Sequence, residues 1–170
     1  LNDLIDLQKR LGVDFRFRGF VKSELFTDSQ AKLMYEAGFR WILCGFEAGN
    51  DRILENINKK ATYDDNVRVI EKCKKYGLKI KSLMSVGHPG ESEQTINDIS
   101  NFLIKNETDD FDCSVITPYP GTPYYDKSIH IGNDIYKYTV PKSGDSLYSK
   151  SIDYSVTSNF YKGIPGQNYD

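Results

Sequence analysis

The chain has 170 residues, 39% of them hydrophobic, and a formal net charge of -2. That is enough apolar material for one domain with a core, and it leaves no basic excess to neutralise a phosphate backbone or an anionic membrane. Its purely apolar runs are far shorter than the roughly 20 residues that cross a bilayer, and no charged-then-apolar opening marks a signal peptide.

The first residues already follow an amphipathic pattern, with Leu1, Leu4, Ile5 and Leu11 between charges. The chain is therefore read as a fragment whose natural N-terminus lies upstream. A strand is expected over residues 15–21. Thr27 and Gln30 then stand at capping-box spacing, Ala31, Leu33, Met34 and Ala37 form an apolar stripe, and Gly38 stops the helix. A buried strand is expected over 40–46, followed by a short helix over 51–58.

The same unit recurs twice. Thr62 caps a helix with Val67, Ile70 and Cys73 as its stripe, Gly77 ends it, and a strand follows over 79–86. Ser92 caps the next, with Ile96, Ile99, Phe102 and Leu103 as its stripe, leading to a strand over 111–117. Four strands separated by helices imply parallel neighbours joined by right-handed crossovers. The fold class is α/β, either a partial (β/α) barrel or an open sheet. Residues 1–126 form this unit, and 127–170 form an irregular, partly β extension in which "IYKYTV" and "YSVTSNFYKG" alternate like exposed strands. The cysteines, Cys44, Cys73 and Cys113, lie inside apolar patterns without metal-ligand spacing and read as reduced core residues of a cytoplasmic protein.

Sheets of this kind bind ligands at the carboxyl ends of their strands. Here those ends are "GFEAGN", "VGHPGE" and "TPYPGTPYY", which puts the carboxylate of Glu47 at a strand end facing the site. Asn50 and Asp51 are better placed than Glu47 to cap the helix that follows. "GHPGES" lacks the ending of a phosphate loop, and "GFEAGN" lacks the glycine spacing of a dinucleotide fingerprint. Of the acids, only Glu47 is placed for glycoside chemistry, because Glu91 reads as support for a helix N-terminus. His88 and His130 have no assigned partner, and His88 reads as a turn residue. Tyr119, Tyr124 and Tyr125 fit a stacking platform for a purine and equally a proline-stiffened loop. Lys59 can neutralise a carboxylate or phosphate, whereas Lys60 reads as a solvated helix end.

Taken together and in this order, "GFEAGNDRILENINKKAT", "VGHPGES" and "TPYPGTPYY" resemble the radical S-adenosylmethionine (SAM) superfamily over residues 15–125. The nearest look is to members that carry a cobalamin-binding domain, and "YKGIPGQNY" resembles the extension after the family's barrel. The resemblance implies a partial barrel that holds SAM and a 4Fe-4S cluster and cleaves SAM reductively to a deoxyadenosyl radical, for methyl transfer or another radical reaction. This chain lacks the family's three-cysteine loop, so the resemblance implies strands three to six here, with the cluster ligands in a missing N-terminal part of the same domain.

Carried over residue by residue, Glu47 resembles the polar group that reaches the SAM ribose or methionine moiety, and Lys59 the base that pairs with the SAM carboxylate. Val86, Gly87 and Pro89 match the motif on the adenine side, and Ile116, Pro118 and Tyr119 the strand end near adenine. Arg16 and Arg18 are expected to share one inward face of their strand, so Arg18 joins the cofactor-binding set. Leu83 and Met84 stand where some relatives carry an acidic ribose ligand. No residue is assigned to the chemical step or to a metal, and the substrate is a small molecule or peptide. Two alternatives stand beside this: a cofactor-free barrel hydrolase using Glu47, and a degenerate barrel binding a nucleotide or a partner.

Overall fold

The computed structural model describes residues 1–149. The expected strand in "YSVTSNFYKG" and the extension motif "YKGIPGQNY" lie outside them. In chain order the elements are α1 (Asn2–Leu11), β1 (Phe17–Val21), a 3-10 turn at Ser23–Leu25, α2 (Asp28–Glu36), β2 (Phe39–Glu47), α3 (Asp51–Asn56) and α4 (Tyr63–Tyr76). They continue as β3 (Lys79–Val86), α5 (Glu93–Asn106), β4 (Asp110–Val115), α6 (Pro123–Asp126), β5 (Ile129–His130), β6 (Tyr136–Thr139) and β7 (Ser146–Ser149).

β1 to β4 pair in sequence order as one parallel sheet; with right-handed crossovers this order puts the helices on one face, as a partial barrel does and a doubly wound open sheet does not. The helices start where side chains satisfy their first free amides. Thr27, Thr62 and Ser92 each close a capping box with the residue three positions on, an arrangement whose cap alone contributes about 1 kcal/mol. Gly77 ends α4 in the left-handed conformation, φ 73, which glycine adopts without a Cβ clash.

Strand alternation divides the sheet. Ile42, Cys44 and Phe46 of β2, with Ile80 and Met84 of β3, pack in one cluster with Met34 of α2, Val69, Ile70 and Cys73 of α4, and Ile99 and Phe102 of α5. Phe102 is central, with its ring edge-on to both Phe46 and Tyr63 at 5.4 Å between centroids. The opposite face carries Trp41, Leu43, Gly45 and Glu47 beside Lys81, Leu83 and Ser85. Lys81 there pairs at 3.0 Å with both Asp110 and Asp112 of β4.

Three expectations are corrected. The fourth strand ends at Val115 and is exposed along its whole length, because among the described residues it is an edge strand with a neighbour on one side only. Cys113 is therefore exposed while Cys44 and Cys73 are buried. Ile96 is 39% exposed, since α5 turns Thr95, Ile99 and Phe102 inward, the i, i+4, i+7 positions of one face.

β5, β6 and β7 make a small antiparallel sheet whose Tyr138, Val140 and Leu147 pack with Ile116 and Tyr124. The turn between β6 and β7 is tied to α3. Asp145 accepts from Arg52 at 2.9 Å and from the Asn56 amide at 2.7 Å, and Lys142 pairs with Glu55 at 2.9 Å. Among the described residues no helix is long and apolar enough to cross a membrane.

Candidate functional site

A cavity of about 1110 Å³ lies at the carboxyl ends of β2, β3 and β4 and is walled on its far side by α6 and the β6–β7 turn. Glu47 enters it from the end of β2. The Ala48 amide donates to the Phe46 carbonyl at 2.8 Å, closing a three-residue turn around Glu47, whose φ is 66. A side chain in the left-handed region costs on the order of 1 kcal/mol, and non-glycine residues held this way concentrate at functional sites. The end of β2 is held from beneath by the fully buried Asn66, which donates to the Phe46 carbonyl at 3.2 Å and accepts from the Ser23 hydroxyl at 2.6 Å.

Lys59 reaches the same place from the other side of α3. Asn58 takes φ 56 and the Lys59 amide returns to the Leu54 carbonyl at 2.9 Å, which turns the chain back toward β2. The Lys59 ammonium then stands 3.6 Å from Oε1 of Glu47. Gly45 makes the room: a Cβ there would lie 2.5 Å from Glu47 Oε1 and 3.5 Å from Lys59 Nζ. Neither charge is buried, with side-chain exposures of 24% and 32%, so both can meet a ligand.

The end of β3 supplies a second set. The Ser85 hydroxyl donates to Glu47 Oε2 at 2.7 Å and lies 2.7 Å from His88 Nε2. His88 Nδ1 is 3.4 Å from the Tyr124 hydroxyl. His88 is 8% exposed, and burial pushes it down to about 4, so the ring is neutral at pH 7. It is a turn residue as expected, its carbonyl accepting from the Glu91 amide at 3.1 Å, but its ring is buried and has partners. Glu91 accepts from the Gly87 amide within its own turn instead of supporting α5, and burial pushes its carboxyl up to about 7. Side chains of α3 grip this turn, with Asn56 donating to the Pro89 carbonyl at 2.9 Å and Arg52 donating to that of Gly90.

Of the residues expected from sequence, Glu47, Lys59, Ile116 and Tyr119 line the cavity. Val86 and Gly87 stand at the end of β3, while Pro89 and Pro118 are buried outside the lining. Arg18 is exposed on β1 and not part of the lining. It sits three residues before the strand's carboxyl end, about 10 Å below it at the rise of a strand. Arg16 precedes β1 and bonds Asp14, so the inward arginine pair does not form. Lys60 is exposed and donates to Asn58 at 2.9 Å, and it also borders the cavity. Ser85, His88 and Tyr124 also line the cavity: Ser85 has no place in the sequence reading, His88 enters it only as a turn residue, and Tyr124 only as a stacking or loop residue. Their one signal is the i, i+3 spacing of Ser85 and His88 across a strand end, which is weak without the fold.

The donor set distinguishes two groups that the fold brings to mind. Among the described residues no three His, Cys, Asp or Glu side chains converge for a metal, and burial pushes the Cys44 and Cys73 thiols up to about 11 and about 12, away from thiolate chemistry. An iron-sulfur cluster does not fit these residues. SAM does fit, because the Glu47 and Lys59 charges beside the Gly45 notch match an amino acid moiety that carries both an ammonium and a carboxylate.

The family profile described as the Radical SAM superfamily matches residues 2–103. The chain belongs to the radical SAM superfamily. That membership lends no support to the hydrolase or the degenerate-barrel alternative. Among similar proteins, one of Pyrococcus horikoshii named as an uncharacterized methyltransferase is 29% identical over 128 residues, covering 74% of this chain and 28% of that protein. The bacteriochlorophyllide d C-12(1)-methyltransferase of Chlorobaculum tepidum is 29% identical over 98 residues, covering 57% of this chain and 22% of that protein. Among solved structures, the radical SAM methyltransferase TsrM of Kitasatospora setae, with cobalamin and a [4Fe-4S] cluster bound, aligns with a TM-score of 0.68 at 16% identity over 82% of this chain and 30% of its own. The Escherichia coli coproporphyrinogen III oxidase HemN aligns with a TM-score of 0.59 at 10% identity over 70% and 28% of the two chains. These structural likenesses carry the fold. This radical SAM chain spans little more than a quarter of the first relative's length.

Proposed function

We propose that this chain supplies the SAM-facing strand ends of a radical SAM methyltransferase whose cluster ligands lie in a part of the protein outside this chain. The observation that carries the reading is the Glu47–Lys59 pair, 3.6 Å apart in the notch left by Gly45 at the mouth of the cavity. Bound SAM, in this family, supplies the radical or the methyl group.

The chain's own residues hold and orient it. Lys59 presents an ammonium to the SAM carboxylate, and Glu47 accepts from the SAM ammonium or the ribose hydroxyls. Val86 and Gly87 at the end of β3, with Ile116 and Tyr119 after β4, form the adenine side. Tyr119, 52% exposed, offers an aromatic face for stacking. Cobalamin belongs to the proposal on the strength of TsrM, which binds it. The substrate is a small molecule or peptide. The setting is the cytoplasm, where free thiols such as the three here persist.

The test uses the full-length protein, reconstituted anaerobically with iron and sulfide. SAM and dithionite should yield a cluster EPR signal and deoxyadenosine or a methylated product. Lys59→Ala should weaken SAM binding by roughly tenfold to a hundredfold, the worth of a charge-assisted hydrogen bond. A folded, cluster-loaded protein that binds SAM equally well with Glu47→Ala and Lys59→Ala would refute the reading.

A further inference from the structure

Glu47 has two oxygens, and they do different things. Oε1 faces Lys59 and the Gly45 notch. Oε2 is the end of a row of hydrogen bonds that runs back through Ser85 and His88 to Tyr124.

The direction of that row follows from counting protons. A carboxylate only accepts, so Ser85 must spend its one hydroxyl proton on Glu47. Toward His88 the same oxygen can then only accept, which requires the proton of the imidazole to sit on Nε2. A neutral imidazole protonated on Nε2 has an accepting Nδ1, and the group facing Nδ1 is the Tyr124 hydroxyl, a donor. Every member has one role, and none can be reversed without leaving a neighbour unpaired. Ser85 and His88 are both buried, at 5% and 8% exposure, where an unpaired polar group is costly.

The row starts on α6, at the tyrosine that packs against the small C-terminal sheet. Tyr124 belongs to the cluster of Tyr138, Val140 and Leu147, with its ring 5.0 Å from that of Tyr138. The packing of this sheet thus sets where the tyrosine hydroxyl stands, and the row carries that placement to a carboxylate on β2. Glu47 needs such support, because its backbone is already in an unfavourable region, φ 66, and an unrestrained side chain would sample several rotamers.

We propose that Ser85, His88 and Tyr124 are positioning residues that fix the Glu47 carboxylate for its ligand through a one-directional row of hydrogen bonds, with His88 locked as the Nε2–H tautomer. The claim about the ligand rests on the SAM reading of the site, whereas the claim about the tautomer does not.

Two measurements on the full-length protein test it. With 15N-labelled histidine, long-range proton–nitrogen correlation at pH 7 should give His88 a protonated Nε2 and an unprotonated Nδ1. The opposite tautomer, or a doubly protonated ring, would overturn the row. Affinity for SAM by calorimetry should then fall roughly tenfold in Ser85→Ala and His88→Leu, the loss expected for one charge-assisted hydrogen bond. His88→Gln, whose amide nitrogen reproduces the Nε2 donor, should stay within about threefold of wild type, while His88→Asn, which cannot reach Ser85, should behave like His88→Leu. Tyr124→Phe should have a smaller effect, because its 3.4 Å contact is the longest of the three. Circular dichroism establishes that each variant is folded. If His88→Leu does not fold, the comparison of His88→Gln with His88→Asn decides. Equal binding by wild type and Ser85→Ala, or loss in His88→Gln equal to that in His88→Asn, overturns the positioning role. Wild-type protein that binds no SAM at all overturns the reading of the site and with it the ligand half of this proposal, leaving the tautomer to be judged by its nitrogen signals.

Discussion

Gly49, the second glycine of "GFEAGN", carries a prediction whose size can be worked from the structure. Its backbone lies against α5, where an added Cβ would come within 2.5 Å of the Ile99 amide nitrogen and closer still to the Asp98 carbonyl. Non-bonded heavy atoms are at their optimum near 3.5 Å, so Gly49→Ala is short of room by about 1 Å. Both partners are backbone within a helix, so no side chain can swing away. Either the turn after Glu47 or α5 must shift. Overpacking of this sort costs about 1–3 kcal/mol. The shift also falls two residues from Glu47, so SAM affinity falls with it, by about the tenfold that one charge-assisted hydrogen bond to the ligand carries. Urea unfolding of Gly49→Ala, beside Gly121→Ala as control, measures the first quantity, and SAM affinity the second. An added Cβ at Gly121 meets nothing within 4 Å, so its cost is limited to the left-handed backbone, roughly 1–2 kcal/mol. If Gly49→Ala proves as stable as wild type and binds SAM normally, the close approach is not what requires glycine there.

Three further outcomes are expected. Phe102→Ala should destabilise by about 3–5 kcal/mol, measured by urea denaturation, since the ring is 1% exposed; a loss below about 1 kcal/mol would mean the cluster closes over the gap. Stability against pH pits two buried groups against each other. His88, depressed from 6.5 to about 4, makes the unfolded state bind the extra proton, so its contribution is lost as pH falls from 6.5 toward 4. Glu91, raised from 4.5 to about 7, makes the folded state bind it, so its contribution is lost as pH rises from 4.5 toward 7. The two slopes oppose between pH 4.5 and 6.5. Glu91→Gln removes the second, and the variant's stability should then rise with pH across that window more steeply than wild type, by about 1.4 kcal/mol per unit; parallel urea profiles would contradict it. Alkylation of the native protein followed by peptide mass analysis should modify Cys113 and spare Cys44 and Cys73 until denaturant is added, because only Cys113 is exposed.

Local chemistry made most of the fold legible. Thr27, Thr62 and Ser92 announce helix starts because a capping box is a contact between residues three apart, and all three form. The strand expected over 79–86 is found there, because Gly77 and the glycine-rich turn bracket it. The exposure of β4 was not legible. Cys113 reads as a core residue from its apolar neighbours, and only the sheet order shows that among the described residues no further strand lies beyond β4.

By itself the sequence determined the β/α units, the strand ends that gather at one face, and the place of Glu47 and Lys59 among the charged residues there. Each of these is set by neighbours in the chain: caps, stops, alternation, and the motifs whose order marks the superfamily. The tertiary structure decided which groups meet. Ser85 reaches Glu47 across 38 positions and Tyr124 reaches His88 across 36, Asp145 closes on Arg52 across 93, and Arg18 is left far down its strand. Contacts between residues so distant in the chain depend on sheet register and helix docking, which hydrophobic burial fixes for the whole core at once and which no local run of residues encodes.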